Sequence, residues 1–246
     1  MLPNLLILVL LYTIFAQAVA SAASTSITID EGLHITSGYS ILRTGDFRLV
    51  EEHPPLVKLL EALPLLAVLD LPDPTTLPGW ESDVAVTDSV RLVRATQAIV
   101  YPYQPIDRLV FAARVPVALL AVLLGAVVFR WASDLWGWKG GLLALFLLTF
   151  DPNILAHAAV AGTDLGATCF ITLALFSLAR FLRRPTPSRL MLAGVTLGLA
   201  QGAKLSALIL LPVVVLLGVL TLPRHRITSL FLLLTIAGLV LWAFAV

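Results

Sequence analysis

The chain has 246 residues, of which 59% are hydrophobic and 13% charged, at a mean hydropathy of +0.97. Soluble domains carry about a quarter of their residues as charges, so this composition excludes a soluble globular protein and describes an integral membrane one. A formal net charge of +1, with no Lys/Arg block interleaved with aromatics, excludes nucleic acid as a partner, and the single cysteine, Cys169, excludes an internal disulfide or a cysteine-based zinc site.

Runs of about 20 apolar residues cross a bilayer as helices, and the alternation a barrel needs is absent. The predicted fold class is therefore an all-α polytopic transmembrane bundle. Residues 1–22 predict the first span. A signal peptide is the alternative, because "AVASAAS" supplies small residues behind an apolar core, although no Lys or Arg precedes that core. Residues 23–111 predict a large extracytoplasmic loop, and twelve of the fifteen acidic residues fall between 23 and 110. Inside it, "PPLVKLLEALPLLAVL" predicts a helix lying on the membrane surface. The Pro-rich "DLPDPTTLPGW" is a connector, and "TDSVRLVRATQAIVYPY" opens a second helix on a Thr/Asp cap signal. Residues 112–246 predict about six further membrane helices, from apolar runs at 112–129, 140–150, 165–182, 190–203, 205–222 and 227–246.

The linkers between these runs set the orientation. Arg130, Lys139, Arg180, Arg183, Arg184, Arg189, Arg224 and Arg226 lie in short basic loops, which stay cytoplasmic, and Trp131, Trp136 and Trp138 gather at the same border. The segment 23–110, the 151–163 connection and the neighbourhood of Lys204 then face outward.

Polar residues collect at that outer face. Asp30, Glu31 and His34 follow the first span, and in a helix all three share one side, a weak acid/base or metal-ligand set for which a helix-capping Asp is an equal reading. "EEHPPLVK" brings Glu51, Glu52, His53 and Lys58 together around two prolines, a pattern that also simply starts a helix. Asp151, His157 and Asp164 bracket a short outer turn. Asp164 sits where a span begins, so its carboxylate needs a partner. Arg114 and Lys204 stand at span mouths, where a cation suits a phosphate at the membrane surface, with snorkelling as the plain alternative.

The order of these signals is a span, then D-E-x-x-H-x-x-x-G-Y, E-H-P-P-L, A-R-V-P, D-P-N…H…T-D, and G…K at the head of a span. From about residue 25 to 215 it resembles the bacterial members of the protein mannosyltransferase and aminoarabinose transferase superfamily. These are polyprenyl-phosphate-sugar-dependent glycosyltransferases of the GT-C fold. The resemblance implies that Asp30 is the catalytic acid position, that Glu31 completes the acidic pair and that Asp164 is the second acidic position. It implies that His53, Arg114 and Lys204 approach the carrier phosphate. His53 stands where some relatives have Lys, which leaves its role open. A divalent ion held by Asp30, Glu52 and His34 is an option that the donor set allows, and no cofactor is otherwise assigned.

The implied partners are a polyprenyl-phosphate-linked sugar donor, a protein or glycolipid acceptor and the lipid bilayer. The implied location is the plasma (inner) membrane, with the active site facing the extracytoplasmic side and direct attack inverting the anomeric centre. Family members are longer, so the resemblance also implies that their C-terminal half is missing here. Two other classes stay open: a non-catalytic or partner-dependent relative, and a transporter, which suits less well because the charges gather at one face.

Overall fold

In the computed structural model, which describes residues 2–49, 53–68, 70–76, 80, 88–103, 105–223 and 228–244, the regular elements are helices. In chain order they are α1 (Leu2–Ser24), α2 (Ile29–Thr44), α3 (Leu56–Val68), α4 (Asp88–Ile99), α5 (Ile106–Thr149), α6 (Pro152–Ala158), α7 (Thr163–Arg183), α8 (Pro187–Ala203), α9 (Leu210–Thr221) and α10 (Thr228–Trp242). Segments Asn4–Ser24, Ile106–Thr149 and Thr163–Arg183 are long and apolar enough to cross a membrane, and Leu205–Thr221 and Thr228–Trp242 are shorter apolar helical segments.

α5 is two helices in one. Gly137, at φ 74°, takes a left-handed backbone that only glycine adopts without penalty. The chain reverses there, so that Leu145 and Leu148 lie beside Gly125. The apolar runs predicted at 112–129 and 140–150 are the two arms of this hairpin. α1 packs on α5, α7 on α5 and α8, and α8 on α10. Their shared core includes Ile14, Ala18, Val117, Leu124, Phe170, Leu197 and Leu233.

A second core lies at one end of the bundle, where Ile35 and Tyr39 of α2, Leu65 of α3, Ile99 of α4 and Leu109 of α5 meet. The Tyr39 hydroxyl donates to the Leu71 and Pro72 carbonyls at 3.1 and 3.2 Å, pinning the connector after α3. α3 occupies the stretch predicted to lie on the membrane surface, yet it is wedged between α2 and α5, with Val57, Ala62 and Leu65 fully buried. Its apolar positions run most of the way round, so it has little polar face to turn to water. Gly38 of α2 makes the close approach possible: a Cβ there would stand 2.0 Å from the Lys58 carbonyl oxygen.

This end is held by a buried ion pair. Arg114 of α5 and Glu31 of α2 are 1% and 0% exposed. Arg114 donates Nε to Glu31 Oε1 at 2.6 Å and Nη2 to Oε2 at 2.8 Å, Nη1 to the Ala22 and Thr25 carbonyls at 2.7 Å each, and Nη2 to Ser26 at 2.9 Å. All five guanidinium donors are used. Glu31 also accepts the N–H of Ala161 at 2.8 Å and, in a capping box, that of Thr28 at 2.8 Å. Burial pushes the Glu31 pKa up, but Arg114 and the two backbone donors outweigh it and hold the carboxyl below its ordinary range. Glu31→Gln leaves a buried guanidinium without its counter-charge, and we expect a loss of about 3–5 kcal/mol in detergent-solubilised protein. Arg114→Lys should recover little, because an ammonium cannot reproduce the planar five-donor fork. Wild-type denaturation midpoints for both variants would contradict this.

A second carboxyl in the same region is treated differently. Glu61 of α3 is fully buried, and neither oxygen has a hydrogen-bond partner among the described residues. Burial raises its pKa well above the ordinary 4.5, against the pull of Lys58 and with the added push of Glu31. With the folded value raised, the unfolded chain gives up this proton first, so Glu61 costs stability increasingly as pH climbs above 4.5. Glu61→Gln is therefore expected to raise the melting temperature at neutral pH. The gain should shrink to nothing as pH falls through 4.5, and a pH-independent difference would refute this.

Candidate active site

A cavity of about 520 Å³ opens at the same end of the bundle. α2 contributes Asp30 from its first turn, where the helix dipole favours a carboxylate, and His34 one turn on. Asp30 and Glu31 are neighbours in sequence but part in space. The capping box and Arg114 draw Glu31 inward, which leaves the exposed Asp30 on the cavity wall. His53 and Lys58 enter from the Pro54-Pro55 approach to α3 and from its first turn.

The opposite wall comes from the α6–α7 connection and from α8. Asp151 caps α6, accepting from the N–H groups of Asn153 and Ile154 at 2.9 Å each, so it serves the turn rather than the cavity. His157 lies near the end of α6, and Asp164 sits in the first turn of α7. Lys204 stands where α8 stops. Its extended backbone, φ −158° and ψ 140°, passes the chain to a short 3-10 turn at Leu205–Ile209. The Lys204 ammonium donates to Asp164 Oδ1, and His157 Nδ1 lies 3.8 Å from Asp164 Oδ2. A second hollow, of about 460 Å³, shares His157, Asp164 and Lys204 with the first and runs down α7 past Leu165, Ala167 and Ile171.

On the α2 side the His34 and His53 rings lie 6.4 Å apart, tilted by 60°. Burial first, then the charge of Lys58 and the neighbouring His53, push the His34 imidazole down to about 4, so it is neutral at physiological pH. The cavity thus combines two carboxylates, two lysines and three histidines, of which His34 is neutral, a set able to accept a proton at one point and hold an anion at another.

Of the residues expected to act on substrate, Asp30, His34, His53, Asp164 and Lys204 line this one cavity. Glu31 and Arg114 do not. Arg114 edges a separate hollow beside α1, and with every N–H engaged it has none to give a phosphate; Glu31 likewise has both oxygens filled. Both are bonded instead to each other and to the backbone around the cavity, at Ala22, Thr25, Ser26, Thr28 and Ala161. Glu52 lies outside the described residues, and among those described no group of three or more His, Cys, Asp or Glu side chains is placed to hold a metal ion. Lys58 and His157 join the cavity although they were not singled out as site residues. Their only signal was membership of the polar clusters "EEHPPLVK" and "DPNILAH".

No curated protein and no solved structure matches the chain. A family model, described as dolichyl-phosphate-mannose-protein mannosyltransferase, matches residues 106–246, more than half of the 246 residues. The matched stretch carries His157, Asp164 and Lys204, and the segment before it supplies Asp30, His34, His53 and Lys58. With a helical membrane bundle whose polar cavity draws on both segments, the chain belongs to the dolichyl-phosphate-mannose-protein mannosyltransferase family and is a membrane glycosyltransferase of the GT-C type.

Proposed function

We propose that this enzyme transfers a sugar from a polyprenyl-phosphate carrier to the hydroxyl of a protein or glycolipid acceptor, at the extracytoplasmic face of the plasma membrane. The observation that carries the reading is the convergence of Asp30 and Asp164 with Lys58 and Lys204 on one cavity at the polar end of an apolar bundle. The orientation draws support from Arg180, Arg183 and Arg189, which lie around the α7–α8 turn at the other end.

In this reading Asp30 takes the proton of the acceptor hydroxyl as its oxygen bonds to the anomeric carbon. The bond from that carbon to the phosphate oxygen breaks, its electron pair leaves with the polyprenyl phosphate, and the anomeric centre inverts. Lys204 and Lys58 stabilise the negative charge that builds on the departing phosphate. Asp164 holds Lys204 at the seam between the two hollows. The second hollow, polar at its head and apolar down α7, suits the first units of an isoprenoid tail, while the first admits a water-borne acceptor.

The test is transfer in proteoliposomes, with radiolabelled polyprenyl-phosphate mannose as donor and extracted envelope material as acceptor. Asp30→Asn should cut turnover about a hundredfold or more, the usual weight of a positioned general base, while donor binding survives; undiminished turnover would sink the assignment. Lys204→Met should instead act on the donor, raising its KM on the order of tenfold, the weight of one hydrogen bond to a charged group. A change confined to acceptor KM would remove Lys204 from the phosphate.

A further inference from the structure

Three residues line both hollows: His157, Asp164 and Lys204. Asp164 is the middle one. Its backbone is fixed in the first turn of α7, where its carbonyl accepts the Thr168 hydroxyl at 2.9 Å, but its side chain is 56% exposed, so packing alone does not fix the rotamer. Among the described residues its carboxylate has two partners, one on each oxygen. The Lys204 ammonium donates to Oδ1, and His157 Nδ1 stands 3.8 Å from Oδ2. The backbone of His157 is anchored in turn, because Asp151 caps the start of α6, Ile154 and Leu155 pack against the main core and Ala158 is fully buried. A carboxylate beside Nδ1 selects the tautomer that carries its proton on that nitrogen, which makes His157 a donor to Asp164.

We propose that His157 is a positioning residue that acts through Asp164, holding its carboxylate so that Oδ1 keeps the Lys204 ammonium aimed at the carrier phosphate. This rests on the proposed transfer from a polyprenyl phosphate. Lys204 needs such a guide, because a lysine stem is long and flexible and its ammonium is a point charge without the fixed fork of a guanidinium. It stands where α8 has stopped and the backbone is extended, so its direction is set by what the ammonium meets. A contact on Oδ1 alone lets carboxylate and ammonium swing together, and a donor on the second oxygen removes that freedom. Contacts of this kind are often long until the reacting groups are in place and then tighten, and 3.8 Å leaves room for it. An ion pair whose side chains are both more than half exposed contributes little to stability, so the effect of His157 falls on direction rather than on folding.

The experiment is steady-state transfer by the full chain in proteoliposomes, with polyprenyl-phosphate mannose and extracted envelope acceptor varied separately and thermal denaturation run on every variant. His157→Ala should raise the donor KM about fivefold, within the range for coupled neighbours, and leave the acceptor KM and the melting temperature as in wild type. His157→Asn, whose amide N–H falls near the place of Nδ1, should recover most of that loss. His157→Gln, whose amide falls near the place of Nε2, should not. In the Lys204→Met background His157→Ala should add nothing, because the group it directs is gone. The same rise in that background, an effect confined to the acceptor KM, rescue by His157→Gln rather than His157→Asn, or a loss in all three variants that follows the melting temperature would overturn the inference and leave the transfer reaction standing. A wild type that transfers nothing from this donor would overturn the functional reading and this inference with it.

Discussion

The Glu31–Arg114 pair is the constraint on which the functional end of the molecule rests. Through one guanidinium and one carboxylate it joins the end of α1 at Ala22, the residues just after it at Thr25 and Ser26, the start of α2 at Thr28, the first arm of α5 and the α6–α7 connection at Ala161. Taking two charges out of water costs several kcal/mol each, and their attraction offsets this only when the remaining donors and acceptors are also filled. Here they are, which makes the pair a fixed point rather than a reservoir of stability. Ala161 lies three residues before Asp164, and Asp30 adjoins Glu31. The two carboxylates on opposite walls of the cavity are therefore indexed to the same buried contact.

The cavity walls divide the cations by their setting. Lys204 sits at the interruption between α8 and the following 3-10 turn, paired with Asp164, on the border shared by the two hollows. Lys58 lies within a packed helix whose backbone touches Gly38 of α2, so its position is set by helix packing. In the proposed reading, a phosphate in the cavity would lie between these two lysines, one on each wall.

Much of this was legible in the sequence. The apolar runs separated cleanly because lipid and core both demand uninterrupted hydrophobic length. Asp30, His34, His53, Asp164 and Lys204 stood out because charges at span ends need partners, and the structure brings them to one cavity. Glu31 and Arg114 stood out for the same reason but meet each other instead. For Glu31 a signal was present: Thr28-Ile29-Asp30-Glu31 has the spacing of a capping box, whose last member turns back on the helix start. For Arg114 there was none, since the carbonyls that fill it come from residues 88 to 92 positions away. The packing of α3 was likewise hidden. A short apolar helix reads the same on a membrane surface as between two helices, and Lys58 and Glu61 look like its polar face until both are found buried.

The two buried glutamates show how one environment yields two chemistries. Both are buried, and desolvation raises the pKa of each. At Glu31 the four acceptor positions are filled by Arg114, Thr28 and Ala161, so ionisation is favoured and the side chain becomes a strut. At Glu61 none is filled by a hydrogen bond, so burial is not offset in the same way and pushes the carboxyl pKa well above its ordinary value. The depressed pKa of one glutamate and the raised pKa of the other are thus separated by hydrogen-bond count rather than by burial. The two glutamates sit on α2 and α3, the helices that pack at the Gly38 contact.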